Sequence, residues 1–159
     1  MATDLPIVLP PLDAILGRPR SQAEDALQAA GWRPYATPIA LDPARRRLLQ
    51  LDLGDADLAL VRGDALDAVA RLEADRRAIV THLEVIAAAP APAPDVAAAL
   101  LVEPGPPLEQ GGDAARTYTW GPESGLGATI AGEPVRLWVC EERAAPDRLW
   151  LVATLVRRA

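Results

Sequence analysis

The sequence predicts an α+β fold in which short helices cover an antiparallel sheet, and three observations predict it. The stretch 133–158 holds two strand-length apolar runs, 135–140 and 149–156, joined by the polar segment 141–148, which is the pattern of a β-hairpin. Helix and hairpin signals are segregated along the chain instead of alternating as in βαβ units. Half of the 159 residues are hydrophobic, enough for a real core and far too many for a disordered chain. Within the first run Val135, Leu137 and Val139 alternate with Trp138 and Cys140. Both faces are then apolar, so the ribbon is expected at the centre of the sheet, covered on both sides, with Trp138 and Trp150 buried. The expected architecture is a C-terminal meander of about four strands plus an N-terminal hairpin, covered by two or three short helices.

In chain order, residues 1–11 form an extended arm interrupted by Pro6, Pro10 and Pro11, and 12–16 suit one helical turn closed by Gly17. Ser21 and Glu24 have the spacing of a capping box, and Ala23, Ala26, Leu27 and Ala30 then share a helical face that ends at Gly31. The prolines at 34, 38 and 43 make 32–43 an extended connector. Residues 47–53 alternate, Gly54 to Asp57 turn the chain, and 58–62 return it as a hairpin. Residues 64–74 read as a helix with Leu66, Val69 and Ala70 inward, and 77–88 as a strand containing His82. A short helix over 96–102, with Asp95 as N-cap, lies in a Pro-rich crossover, 90–107. Strands at 116–120 and 128–131 flank the loop 121–127 and lead into the terminal hairpin. The length suits a single domain, 1–159, with possible lobes 12–89 and 108–159 joined by that crossover. A helix-then-hairpin doubling of the two halves is compatible with this order, although residue identity does not support it.

Composition removes several function classes. The net charge is −6 with a pI near 4.8, the wrong sign for a surface that displaces counterions from nucleic acid. The basic run Arg45–Arg46–Arg47, near Trp32 and Tyr35, is the strongest nucleic-acid signal, but the adjacent helix carries Glu24 and Asp25, which would repel phosphate. No run approaches the roughly 18 apolar residues that span a bilayer. Asp4 and the early prolines do not suit a secretory leader, and a cytoplasmic location is the expectation.

Catalytic parts are equally sparse. His82 is the only histidine and has no second histidine for a relay or metal site. Cys140, the only cysteine, lies in an apolar run that raises a thiol pKa instead of lowering it. Asp52, Asp55, Asp57 and Asp64 cluster near a turn but fail the calcium-loop spacing. The loop 121–127 lacks the Lys-Ser/Thr of a phosphate loop, and Pro122 spoils a nucleophile elbow at Ser124. No catalytic residue, metal ligand or cofactor is assigned, and the balance leans away from an enzyme.

What remains is binding. Trp32 and Trp120 stand at element ends beside Pro- and Gly-rich loops, where aromatics serve either as contact residues or as lids over a small core. With Arg116 and Glu123 they form the candidate binding set. The expected function is a non-enzymatic protein–protein binding or assembly module, its partner or second copy engaged through the N-terminal arm. A small-ligand domain or small enzyme with a pocket near 104–127, where Glu123, Arg116 and His82 would converge, is the alternative. An acidic chaperone or immunity-type inhibitor shares the size and charge, by analogy alone.

Overall fold

Residues 80–87 and 149–155 alternate between Leu, Val or Ala and bulkier or polar residues, and in the computed structural model they lie side by side in the middle of one sheet. The structure describes residues 7–34, 58–62, 65–87, 91–144, 146 and 148–156. Its strands are β1 (Trp32–Pro34), β2 (Leu58–Arg62), β3 (Ala65–Ala74), β4 (Val80–Ala87), β5 (Leu108–Gly111), β6 (Ala115–Trp120), β7 (Thr129–Ile130), β8 (Glu133–Glu142) and β9 (Leu149–Leu155). Two α-helices, α1 (Arg20–Ala29) and α2 (Ala93–Leu100), and two 3-10 turns at Leu12–Ala14 and Pro122–Ser124 complete the described elements. The strand order is β1-β2-β3-β4-β9-β8-β6-β5, with β7 added to β8 off this path. Every pairing is antiparallel. The fold is α+β, an open, meander-like sheet.

The order reads the same way outward from the β4–β9 seam in both directions. Among the described elements each half has a helix and then four strands in meander order, α1 then β1 to β4, and α2 then β5, β6, β8 and β9, with β7 added to β8 in the second half. At the seam Leu83 pairs with Ala153, Val85 with Leu151 and Ala87 with Leu149. All six are buried.

Alternation gives the sheet two unlike faces. The inner face carries Ala68, Ala70 and Leu72 of β3, Leu83, Val85 and Ala87 of β4, Leu149, Leu151, Ala153 and Leu155 of β9, and Val135, Leu137 and Val139 of β8. Both described helices pack on it, α1 through Ala23 and Leu27, α2 through Val96 and Ala97. Ile7, Leu12, Ile15 and Leu16 from the N-terminal stretch close the same core. Gly17 permits this approach: its φ is +75°, and a Cβ there would stand 2.9 Å from the Cβ of Ala131. The outer face carries Val69, Arg71 and Glu73, His82, Glu84 and Ile86, Trp150 and Val152, and Arg136, Trp138 and Cys140.

Four expectations are corrected. Residues 65–74 are a strand, not a helix: the run Ala68-Val69-Ala70-Arg71-Leu72-Glu73 also alternates with period two, and pairing with β2 and β4 outweighs the helical preference of alanine. The central ribbon is covered by described helices on one side only, and Trp138 and Trp150 are partly exposed on the other. Helix α1 starts at Arg20 behind Pro19, so Ser21 is exposed inside the first turn and Glu24 pairs with Arg20 at 3.1 Å instead of capping. Pro92, not Asp95, precedes α2. Gly31 does end α1 with φ +102°. The expected strand at 47–53, the acidic turn after it and the Arg45–Arg46–Arg47 run lie outside the described residues.

Trp120 is 1% exposed and its Nε1 donates to Gly105 O at 3.0 Å, whereas Trp150 keeps part of its ring in solvent. Trp120→Ala is expected to cost about 3–5 kcal/mol, and Trp150→Ala less than half of that. Urea unfolding of both variants measures the difference.

Candidate binding surfaces

The four residues nominated from sequence do not form one site. Trp32 and Trp120 are each 1% exposed. Their indole N–H groups are satisfied inside the chain, Trp32 Nε1 donating to Val8 O at 2.7 Å and Trp120 Nε1 to Gly105 O. Both are core lids, which takes them out of any contact surface. The Val8 bond and the buried Ile7 tie this part of the arm to the chain's own core, while Val8 itself is 58% exposed; residues 1–6 of the expected partner-docking arm lie outside the described residues. Glu123 lies in the turn after β6, where its carboxylate accepts two bonds from Arg136, from Nε at 2.7 Å and from Nη2 at 3.2 Å. Arg116 sits on the inner-face side of β6, opposite Glu141. His82 is on the outer face of β4, its Nδ1 2.8 Å from Thr81 Oγ1 and 3.7 Å from Glu73 Oε2. Trp120 and Leu126 are buried within the segment 104–127, while its residues 112–116 and Tyr118 line a cleft that includes Arg116 but neither Glu123 nor His82, so the three expected residues do not converge.

The residues that do assemble are the other two tryptophans. Trp138 and Trp150 meet edge to face on the outer face of β8 and β9, with centroids 5.0 Å apart at 84°. Trp150 Nε1 donates to Glu84 Oε2 at 3.1 Å, and the Arg148 guanidinium carbon lies 5.7 Å from the Trp150 ring centre. Arg148 is buried and lies 2.6 Å from Glu142 Oε1, so the cation over the ring is desolvated and held by a carboxylate. Arg71 approaches Glu84 at 3.6 Å. The charges around the tryptophans are thus paired within the chain. A sequence signal existed for this site: Trp138 and Trp150 alternate against Val139 and Leu151, so they had to face away from the helices.

A cleft lies at the end of the sheet where β6 begins and β8 ends. Its volume is about 560 Å³ and it is lined by Ala91, Pro92, Arg116, Tyr118, Glu141 and Arg143, among others. Glu141 is its organising group. Its Oε1 accepts from the Ala93 N–H at 2.9 Å, satisfying the first turn of α2, and its Oε2 accepts from the Tyr118 hydroxyl at 3.2 Å. Burial first, and the Glu141 carboxylate second, push the Tyr118 hydroxyl above its ordinary pKa, so it stays protonated as a donor. A second groove, about 390 Å³, runs between Leu9–Leu12, the end of α2 and Ile130, with apolar walls.

Among the described residues no group of three or more His, Cys, Asp or Glu gathers as for a metal. Cys140 and His82 share the outer face but are offset by four residues and two strands, about 16 Å. Burial, with Glu142 adding to it, raises the Cys140 thiol above its ordinary pKa. No helix of the described residues is long and apolar enough to cross a membrane. No family model matches the chain, and neither does any curated protein or solved structure.

Two outcomes follow. Iodoacetamide at neutral pH is expected to alkylate Cys140 in the folded protein at least about tenfold more slowly than in the urea-unfolded chain, because little thiolate forms there and access is poor; mass spectrometry over time measures it. The Arg136 fork holds the Glu123 carboxyl below its ordinary range. A depressed carboxylate pKa contributes stability above the unfolded-state value and loses it as pH falls through the folded-state value. Glu123→Gln should therefore lower the urea midpoint near neutrality, and the two proteins should converge in acid.

Proposed function

We propose that this chain is a non-enzymatic protein-binding module whose contact surface is the outer face of the sheet, centred on Trp138 and Trp150. The supporting observation is the edge-to-face tryptophan pair, partly exposed and ringed by Arg148, Glu142, Glu84 and Arg71. Trp and Arg are the residue types that dominate binding energy at protein interfaces, since they bury large areas while losing little conformational freedom. Two features favour association over a solvated surface. The indole of Trp150 is already oriented by its bond to Glu84, so docking orders few further rotamers. The charges nearby are matched in cis, so burying them leaves no lone ion to desolvate. Arg116 belongs to the separate cleft.

The test uses the tagged full chain in its native host. Proteins retained by the wild type are expected to be lost with Trp138→Ser/Trp150→Ser and kept with Arg18→Glu, a control on the far side of the molecule. Far-UV circular dichroism checks that each variant is folded. Retention of the same proteins by the double variant, or no protein enriched over an untagged control, overturns the reading.

A further inference from the structure

The cleft where β6 begins and β8 ends carries an inference that does not rest on the tryptophan pair. Arg116 and Glu141 are direct cross-strand partners, the arrangement in which a guanidinium and a carboxylate ordinarily pair. Among the described residues they form no ion pair: Glu141 turns one oxygen to the Ala93 N–H and the other to the Tyr118 hydroxyl, and Arg116 hydrogen-bonds the same Tyr118 side chain. Arg143 stands one step further on, its backbone N–H donating to Ala114 O at 2.9 Å, and lines the same cleft. That register makes Arg116 and Arg143 diagonal neighbours, within reach of each other's long side chains. Neither makes an ion pair among the described residues, in a chain whose net charge is −6. The third arginine on the rim, Arg148, is committed to Glu142.

We infer that this cleft binds a small organic carboxylate, its oxygens held by the guanidinium forks of Arg116 and Arg143. Each guanidinium offers several donors in a plane, a geometry that matches a carboxylate two bonds at a time. The walls suit an organic body: Ala91, Pro92, Pro146 and the Tyr118 ring are apolar, and the volume of about 560 Å³ is that of a small-molecule site. Asp113, Glu141 and Glu142 on the same lining oppose a second or third negative charge, which favours a carboxylate over phosphate. Two sources carry this group, a free metabolite-sized acid and the terminal carboxylate of a peptide.

Isothermal titration of the purified full chain with benzoate, succinate, trialanine, trialanine amide and inorganic phosphate distinguishes them. At least one carboxylate is expected to bind saturably at up to millimolar concentration, more tightly than phosphate. Arg116→Gln and Arg143→Gln should each weaken it by about tenfold, as for loss of one charge-assisted fork. Binding of trialanine but not its amide assigns the site to a chain terminus; tighter binding of benzoate assigns it to a free acid, and succinate, with its second charge, should bind more weakly than benzoate. The inference is overturned if no carboxylate saturates, if phosphate binds more tightly than every carboxylate, or if both variants, shown folded by circular dichroism, bind like the wild type.

Discussion

The pairing of β4 with β9 is the contact on which the rest of the molecule depends. It joins strands more than sixty residues apart in sequence, so the chain must close a long loop before any hydrogen bond of that ladder forms. The return is burial: Leu83, Val85 and Ala87 opposite Ala153, Leu151 and Leu149 make one continuous apolar floor. Helices α1 and α2 are ten and eight residues long, too short to persist alone. They hold their shape because this floor accepts Ala23, Leu27, Val96 and Ala97.

The same alternation that builds the floor sorts the large side chains between two environments. Trp32 and Trp120 go inward and spend their indole N–H groups on backbone carbonyls. Trp138 and Trp150 go outward, where a carboxylate accepts the one indole bond and a guanidinium covers a ring. With no Phe and only two Tyr in the chain, moving any one of these four rings changes either the core or the surface substantially. Glu141 plays a comparable part among the charged groups. By turning toward the amide of α2 and the Tyr118 hydroxyl, it leaves the arginine opposite without its natural counter-ion.

Much of the architecture was legible in the chain, and the failures have physical causes. The α+β class, the terminal hairpin, its central position and the helix ending at Gly31 follow from periodicity and punctuation. Residues 65–74 misled because alanine fits a helical stripe and a buried strand equally well; only pairing on both edges decides between them. The capping signal at Ser21 was real in spacing but lost to Pro19, whose fixed φ already suits the residue before a helix. The candidate surface was misread for a subtler reason. Apolar residues on both sides of a strand suggest two covered faces, yet Trp138 and Trp150 shield each other edge to face and stay partly exposed on a side where no described helix packs. Nothing in sequence spacing reports that Glu141 is diverted from Arg116, since the diversion depends on where a helix forty-eight residues earlier comes to rest.

The symmetry about the β4–β9 seam bears on how the polypeptide emerges from the ribosome. When the first helix and its four strands have been made, β4 presents an unpaired, strongly apolar border, and its proper neighbour is still unsynthesised. Such a border is a template for intermolecular strand addition. The nascent chain must therefore be shielded, or remain unfolded, until residues 149–155 arrive. A transcript cut short between the two halves leaves β4 as such a border.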